Sequence, residues 1–235
     1  MDGRWLRTLG ILLAPAALAG VAGCSSGTHA SSASAAAANS VSAGTFNAAQ
    51  LRGALLTRIN GVTAAAPAAS GKYATLGGAT AGNKAASAAQ VTPKACGPAA
   101  LTLFNPTALA ASPAAAVTFK VGQNGISEVL ISSSDSAAST ALAGHFPADC
   151  ARYKETVGGK TYTYNIKESS VAGIGRQAKV LNVQAAGDSA ANMWSLMYRG
   201  AGFVGTVTVV GADASEAAVQ QLGKQAYAFA AKSLA

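Results

Sequence analysis

From Val117 onward, apolar residues recur at every second position in one short segment after another, with turn residues between the segments. That period places successive side chains on opposite faces of a strand, so the pattern commits this half of the chain to a sheet. Val117, Phe119 and Val121 alternate with Thr118 and Lys120, and the Asn124-Gly125 pair in GQNG is a favoured hairpin turn that returns the chain as ISEVLIS. KTYTYNIKE, with Tyr162, Tyr164 and Ile166 on one face, is followed by QAKVLNVQ, NMWSLMYRG and GFVGTVTVVG. These last four segments, in sequence order with short connections, predict an antiparallel meander. The fold class expected is α+β: an antiparallel sheet of about six strands with helices packed on it and one disulfide.

The helices are read from caps and stripes. In TFNAAQLRGALLTRING, Asn47 caps, Gln50 completes a capping box, and Phe46 staples to Leu51. Leu51, Leu55 and Ile59 then share a face, and Gly61 stops the helix. Residues 62–91 are poor in large apolar side chains and read as a long loop, with a lid over a cleft as its functional alternative. KACGPAALTLF predicts a bend and a short helix with Leu101 and Phe104 facing the core. Asp135 caps a helix through about Ala143. Asp213 with Glu216 predicts a second capping box before a stripe of Val219, Leu222, Ala226 and Phe229.

The amino-terminal quarter is different. Arg4 and Arg7 precede an apolar run from Leu9 to Ala22, about 14 residues and interrupted by Pro15, which is short for a membrane span and suits a secretory signal. Val21-Ala22-Gly23-Cys24 resembles a bacterial lipobox, in which small residues precede a cysteine that is acylated and becomes the mature amino terminus. Two acyl chains on Cys24 give a stable anchor where one is marginal, at roughly 0.8 kcal/mol per buried methylene. The alternative is an ordinary signal cleaved after Ala17-Leu18-Ala19, with Cys24 left over.

Three segments follow: residues 1–23 as lipoprotein signal peptide, 24–44 as a Ser/Ala tether too poor in apolar surface to fold, and 45–235 as one α+β sensor-like domain. Export places the chain where disulfides persist, and with Cys24 acylated only Cys96 and Cys150 remain to pair. A loop of that length stabilises a fold by roughly 4 kcal/mol on the chain-entropy model. The predicted location is the extracytoplasmic face of the cell membrane, lipid-anchored.

Chemistry is sparse. Beyond the tether His145 is the lone histidine, there is no G-x-S-x-G elbow, and no metal-ligand spacing joins the two cysteines to His145. His145 and Asp149 read as a local structural pair, and GIGRQA, Gly173 to Ala178, as a turn between strands. Catalytic residues, metal and cofactor are therefore all read as none, and the chain as not an enzyme. The net charge is +8, with a loose concentration through Arg152, Lys154, Lys160, Lys167, Arg176 and Lys179. In an exported protein nucleic acid is not the partner, and a solvated surface or attraction to anionic head groups or acidic wall polymers accounts for the charge. In MWSLMYRGAGF, Trp194, Leu196 and Tyr198 share one strand face and Met193 and Met197 the other. Core packing is one use of these residues; a ligand groove at Trp194 and Tyr198 is the other.

The lipobox, the tether, LRGALLTRI, FPADCARY, VAGIGRQA before a strand, MYRGAGFVGTVTV and the closing AVQQLGKQAYAFAAKSL together resemble actinobacterial envelope lipoproteins. More narrowly, they are similar to those whose domain is like the extracellular sensor domain of mycobacterial serine/threonine kinases. Where that family often has an acidic residue after the second glycine of the turn, this chain has Arg176. The resemblance implies a helix-flanked sheet with a cleft, a non-catalytic binding or sensing role, and an unnamed small-molecule, lipid or cell-wall ligand. A lipid carrier and, after it, an envelope hydrolase are the alternatives.

Overall fold

The computed structural model describes residues 46–80, 89–97, 107–157, 159–186 and 192–235. The signal-like segment, Cys24, the tether, Leu101 and Phe104, and residues 81–88 of the long loop lie outside the described residues.

Six strands match the alternating segments: β5 (Pro113–Val121), β6 (Asn124–Ser132), β8 (Lys160–Val171), β9 (Gln177–Ala186), β10 (Asn192–Arg199) and β11 (Phe203–Val210). The sheet has nine strands rather than about six, because β3 (Ala69–Lys72), β4 (Gln90–Thr92) and β7 (Arg152–Val157) join at its edges. These three are short or polar, and two of them lie in the stretch expected to be loop. Each turns at most a residue or two inward, Val91 from β4 and Tyr153 with Glu155 from β7, so backbone pairing rather than an apolar face holds them and hydrophobic periodicity passes over them. The order is β3-β5-β6-β11-β10-β9-β8-β7-β4, and every pairing is antiparallel, the four-strand meander included.

The turn between β5 and β6 sits two residues earlier than expected. Val121 pairs with Asn124, leaving Gly122-Gln123 as the loop, and Gly122 takes φ +59° at the position where a type II′ turn needs it. Asn124 instead uses its side chain, accepting from the Asp213 backbone N–H.

Helix α1 (Ala48–Gly53) has the expected capping box: Asn47 Oδ1 accepts from the Gln50 N–H at 2.9 Å, and Gln50 Oε1 accepts from the Asn47 N–H at 2.9 Å. It ends long before Gly61, however. Asn60 and Gly61, both at positive φ, form the turn of a small hairpin between β1 (Arg58–Ile59) and β2 (Val62–Thr63). An Asn-Gly pair suits such a turn, and this preference overrides the helical spacing of Ile59. Leu51, Leu55 and Ile59 still enter one core.

Helix α2 (Asp135–Ala143) is capped by Ser134, whose hydroxyl accepts from Ala137 N–H, so Asp135 is its first residue rather than its cap. Likewise Ser215, not Asp213, caps α3 (Glu216–Ser233). The buried stripe of α3 is Val219, Leu222, Ala226 and Ala230, whereas Phe229 is exposed. No helix among the described residues is long and apolar enough to cross a membrane.

Helices α1 and α3 cover one face of the sheet, α1 over β5 and β6 and α3 over β10 and β11. The other face carries α2 at one side and, at the other, a second core built around the disulfide. Cys96 and Cys150 are bonded with Cα atoms 5.4 Å apart, and both are buried against Tyr153, Tyr164 and Ile166.

Candidate functional site

Strand β10 presents Trp194, Leu196 and Tyr198 toward α3, and Met193, Ser195 and Met197 to the opposite face, as alternation requires. No groove opens beside Tyr198. Its ring is fully buried, edge-on to Phe203 and Tyr227 with centroids 6.3 and 5.7 Å away. Two glycines let the layers close up: Gly205 lies under the Tyr198 ring, and Gly223 of α3 sits against Leu196, where a Cβ would come within 2.7 Å of Cδ2. Tyr198 is thus a core residue here, and Trp194 is half-buried at the rim of the same core.

This core holds polar atoms without a hydrogen-bond partner: Tyr198 Oη, Trp194 Nε1 and Glu128 Oε1. Glu128, on β6, is 1% exposed. Its other oxygen accepts the Leu56 backbone N–H at 2.8 Å and so fastens the chain after α1 to the sheet. Burial pushes the Glu128 carboxyl up to about 7, against the lowering effect of the Leu56 hydrogen bond. Burial likewise raises the Tyr198 hydroxyl, and the nearby Glu128 and Tyr227 raise it further.

His145 is exposed and lies 3.4 Å from Glu168, not against Asp149 as the sequence suggests. Glu168 also accepts the Phe146 N–H at 3.1 Å and forms an ion pair with Lys179 at 3.0 Å. Lys179 in turn donates to the Gly144 carbonyl. Burial raises the Glu168 carboxyl, but Phe146, Lys179 and His145 together outweigh it and leave it below the ordinary carboxylate range. These contacts pin the loop after α2 to the sheet. No nucleophile is among them, and among the described residues no three His, Cys, Asp or Glu side chains gather.

A shallow cleft of about 130 Å³ lies between the β1–β2 turn, the β5–β6 turn and the first half of α3, lined by Asn60, Asn124, Asp213, Gln221, Leu222 and Gln225. It is below the several hundred Å³ typical of small-molecule sites.

The α3-side face leaves an open polar surface at its uncovered end. There Arg152, Lys154, Lys167 and Gln184 are exposed, with Thr163 and Asn165 half-buried between them. The register places them together: Arg152 opposite Asn165, Lys154 opposite Thr163, and Asn165 opposite Gln184. The reverse side of these strands is the disulfide core, which holds Tyr153, Tyr164 and Ile166. The basic concentration seen in the sequence is therefore divided. Lys179 is buried on the other face with Glu168, and Arg176 pairs with Asp135. Among the described residues, Arg152, Lys154 and Lys167 stand apart from every ion pair. The signal for this was the order R-Y-K-E in β7, where the cations alternate with residues of the core.

GIGRQA is the turn expected: Gly173 and Gly175 take positive φ, and Ile174 between them is driven into the α3-side core.

No family model and no curated protein matches the chain. Two solved structures are similar in part. The extracellular domain of PknH from Mycobacterium tuberculosis is 12% identical with a TM-score of 0.43, covering 61% of this chain and 76% of that one. The Rv0999 ortholog from Mycobacterium smegmatis is 13% identical with a TM-score of 0.33, covering 62% and 74%.

Proposed function

We propose that the chain is a non-catalytic binding domain held on the extracytoplasmic face of the cell membrane by acylated Cys24. The observation that carries this reading is the conjunction of a lipobox-like Val21-Ala22-Gly23-Cys24 with a buried Cys96–Cys150 disulfide in the domain downstream. A buried disulfide suits an oxidising compartment, and the apolar run before Cys24 suits export to one. Residues 24–44 serve as the tether between anchor and domain.

For binding, the polar open end of the sheet supports contact with a ligand at the surface. A lipid carrier needs a deep apolar cavity between sheet and helices, and the cleft described, lined by Val121, Ile126, Val209 and Leu222 together with Asn and Gln side chains, is far smaller than an acyl chain requires. Trp194, half-buried at the rim of the α3-side core, is our proposed contact for a small ligand through its exposed ring edge, with Tyr198 behind it as support.

The test is cell fractionation with detergent-phase partition, comparing the natural chain with Cys24→Ser in a host that processes lipoproteins. The natural chain is expected in the membrane fraction, cleaved by protease added outside spheroplasts, and Cys24→Ser in the soluble or uncleaved pool. Equal distribution of the two removes the anchor from the account.

A further inference from the structure

Among the described residues, the charges of the open sheet end are all of one sign. Arg152, Lys154 and Lys167 project from the same face, and the two carboxylates of these strands, Glu155 and Glu168, belong to the opposite one. Lys154 and Arg152 are two residues apart on β7, and Lys167 lies two beyond Asn165, the partner of Arg152. Strand geometry then sets Lys154 and Lys167 each about 7 Å from Arg152 at their bases, on opposite sides of it and roughly 14 Å from each other. Thr163, Asn165 and Gln184 stand between and beside them, and β4 continues the face with exposed Gln90 and Thr92. The surface is thus a platform of hydrogen-bond donors around three unpaired cations.

We propose that this platform binds an extended polyanion with a hydroxyl-rich backbone, an anionic glycan or polyol-phosphate chain of the kind a cell wall carries. Three cations at similar spacing meet successive anionic groups along one chain, while the amides and hydroxyls meet its neutral oxygens. An anionic membrane surface has the same charge, but two observations favour the polymer. The platform residues themselves include no large apolar or aromatic side chain to enter the head-group region, and Trp194, level with Lys167 on the same face, is packed at the rim of the α3-side core. It also lies toward the strand ends opposite those where the chain enters the domain. Phe46 N–H is bonded to Ser132 at the end of β6, whereas Lys167 is level, through Asn182, Trp194 and Val209, with Ile126 near that strand's start. The platform and the point where the tether joins the domain therefore lie toward opposite ends of the strands. The proposal rests on the extracytoplasmic reading for its compartment and adds the site and the ligand class.

The experiment measures binding of the full chain, solubilised in detergent, to poly(glycerol phosphate) and, separately, to phosphatidylglycerol vesicles, at low and at physiological salt. Alongside the natural chain run two equally discharged variants: Arg152→Gln/Lys154→Gln/Lys167→Gln on the platform, and Lys72→Gln/Lys120→Gln/Lys232→Gln elsewhere on the exposed surface. The platform variant is expected to lose polymer affinity at least tenfold and the control less than threefold. Near-UV circular dichroism shows that both are folded, and the single Lys167→Glu change gives a second measure of the same site. Equal losses in the two variants, binding to vesicles without binding to polymer, or binding to neither overturns the proposal. Failure of Cys24 acylation would leave the polymer measurements and the contrast between the two variants unchanged, and their failure would leave the anchor standing.

Discussion

The ring of Tyr198 lies on Gly205, its directly paired neighbour on β11, so closely that a Cβ on Gly205 would stand 2.1 Å from Tyr198 Cζ. The contact fixes the ring under α3, and it makes a sharp prediction. Gly205→Ala should destabilise the domain by about 2–3 kcal/mol, as overpacking of a dense core does. Adding Tyr198→Leu should restore part of that loss. Urea denaturation of the single and double variants reads both effects.

Glu128 makes stability depend on pH in the direction opposite to most carboxylates. Its folded value of about 7 stands above the ordinary 4.5, so between those values the folded state holds more protons than the unfolded one. Its contribution is complete below about pH 4.5, falls as pH rises toward 7, and changes little beyond. Glu128→Gln keeps an acceptor for Leu56 and removes the charge. It is expected to match the natural chain at pH 4 and exceed it at pH 8, by on the order of 3 kcal/mol. Thermal melts across that range check it.

Two ion pairs should differ strongly in weight. Lys179→Ala leaves Glu168 largely buried without its cation and should cost about 3 kcal/mol. Asp135→Ala breaks a half-exposed pair with Arg176 and should change stability by less than about 1 kcal/mol. Denaturant midpoints of the two variants measure the contrast.

The disulfide closes a loop of 54 residues and anchors the second core. Cys96→Ala/Cys150→Ala should lose roughly 4 kcal/mol. The loss should be concentrated around β4 and β7, and hydrogen exchange should show earlier opening there than at β10.

Much of the scaffold was legible in the sequence because its central strands alternate cleanly and their turns carry Gly or Asn. Reading failed where the local signal was ambiguous or absent. Ile59 fits a helical stripe and a hairpin equally, and Asn60-Gly61 decides for the hairpin. Ser134 and Ser215 each stand close to an acid that could cap, and only the backbone shows which one does. The edge strands Ala69–Lys72 and Gln90–Thr92 have no apolar face, so pairing alone reveals them. Trp194 and Tyr198 were correctly put on one face, but whether that face is covered depends on Gly205 and Gly223, far away in sequence. The platform is half visible in the sequence: its cations stand close together along the chain, but separating Lys167 from Lys179 requires the strand register.

The intact mass of the mature chain, recovered from membranes of a lipoprotein-processing host without reducing agent, tests the central claim most directly. The account predicts loss of residues 1–23, a gain at Cys24 corresponding to acyl groups, and a further two-hydrogen deficit for the Cys96–Cys150 bond. An uncleaved, unacylated chain with three free thiols would contradict it.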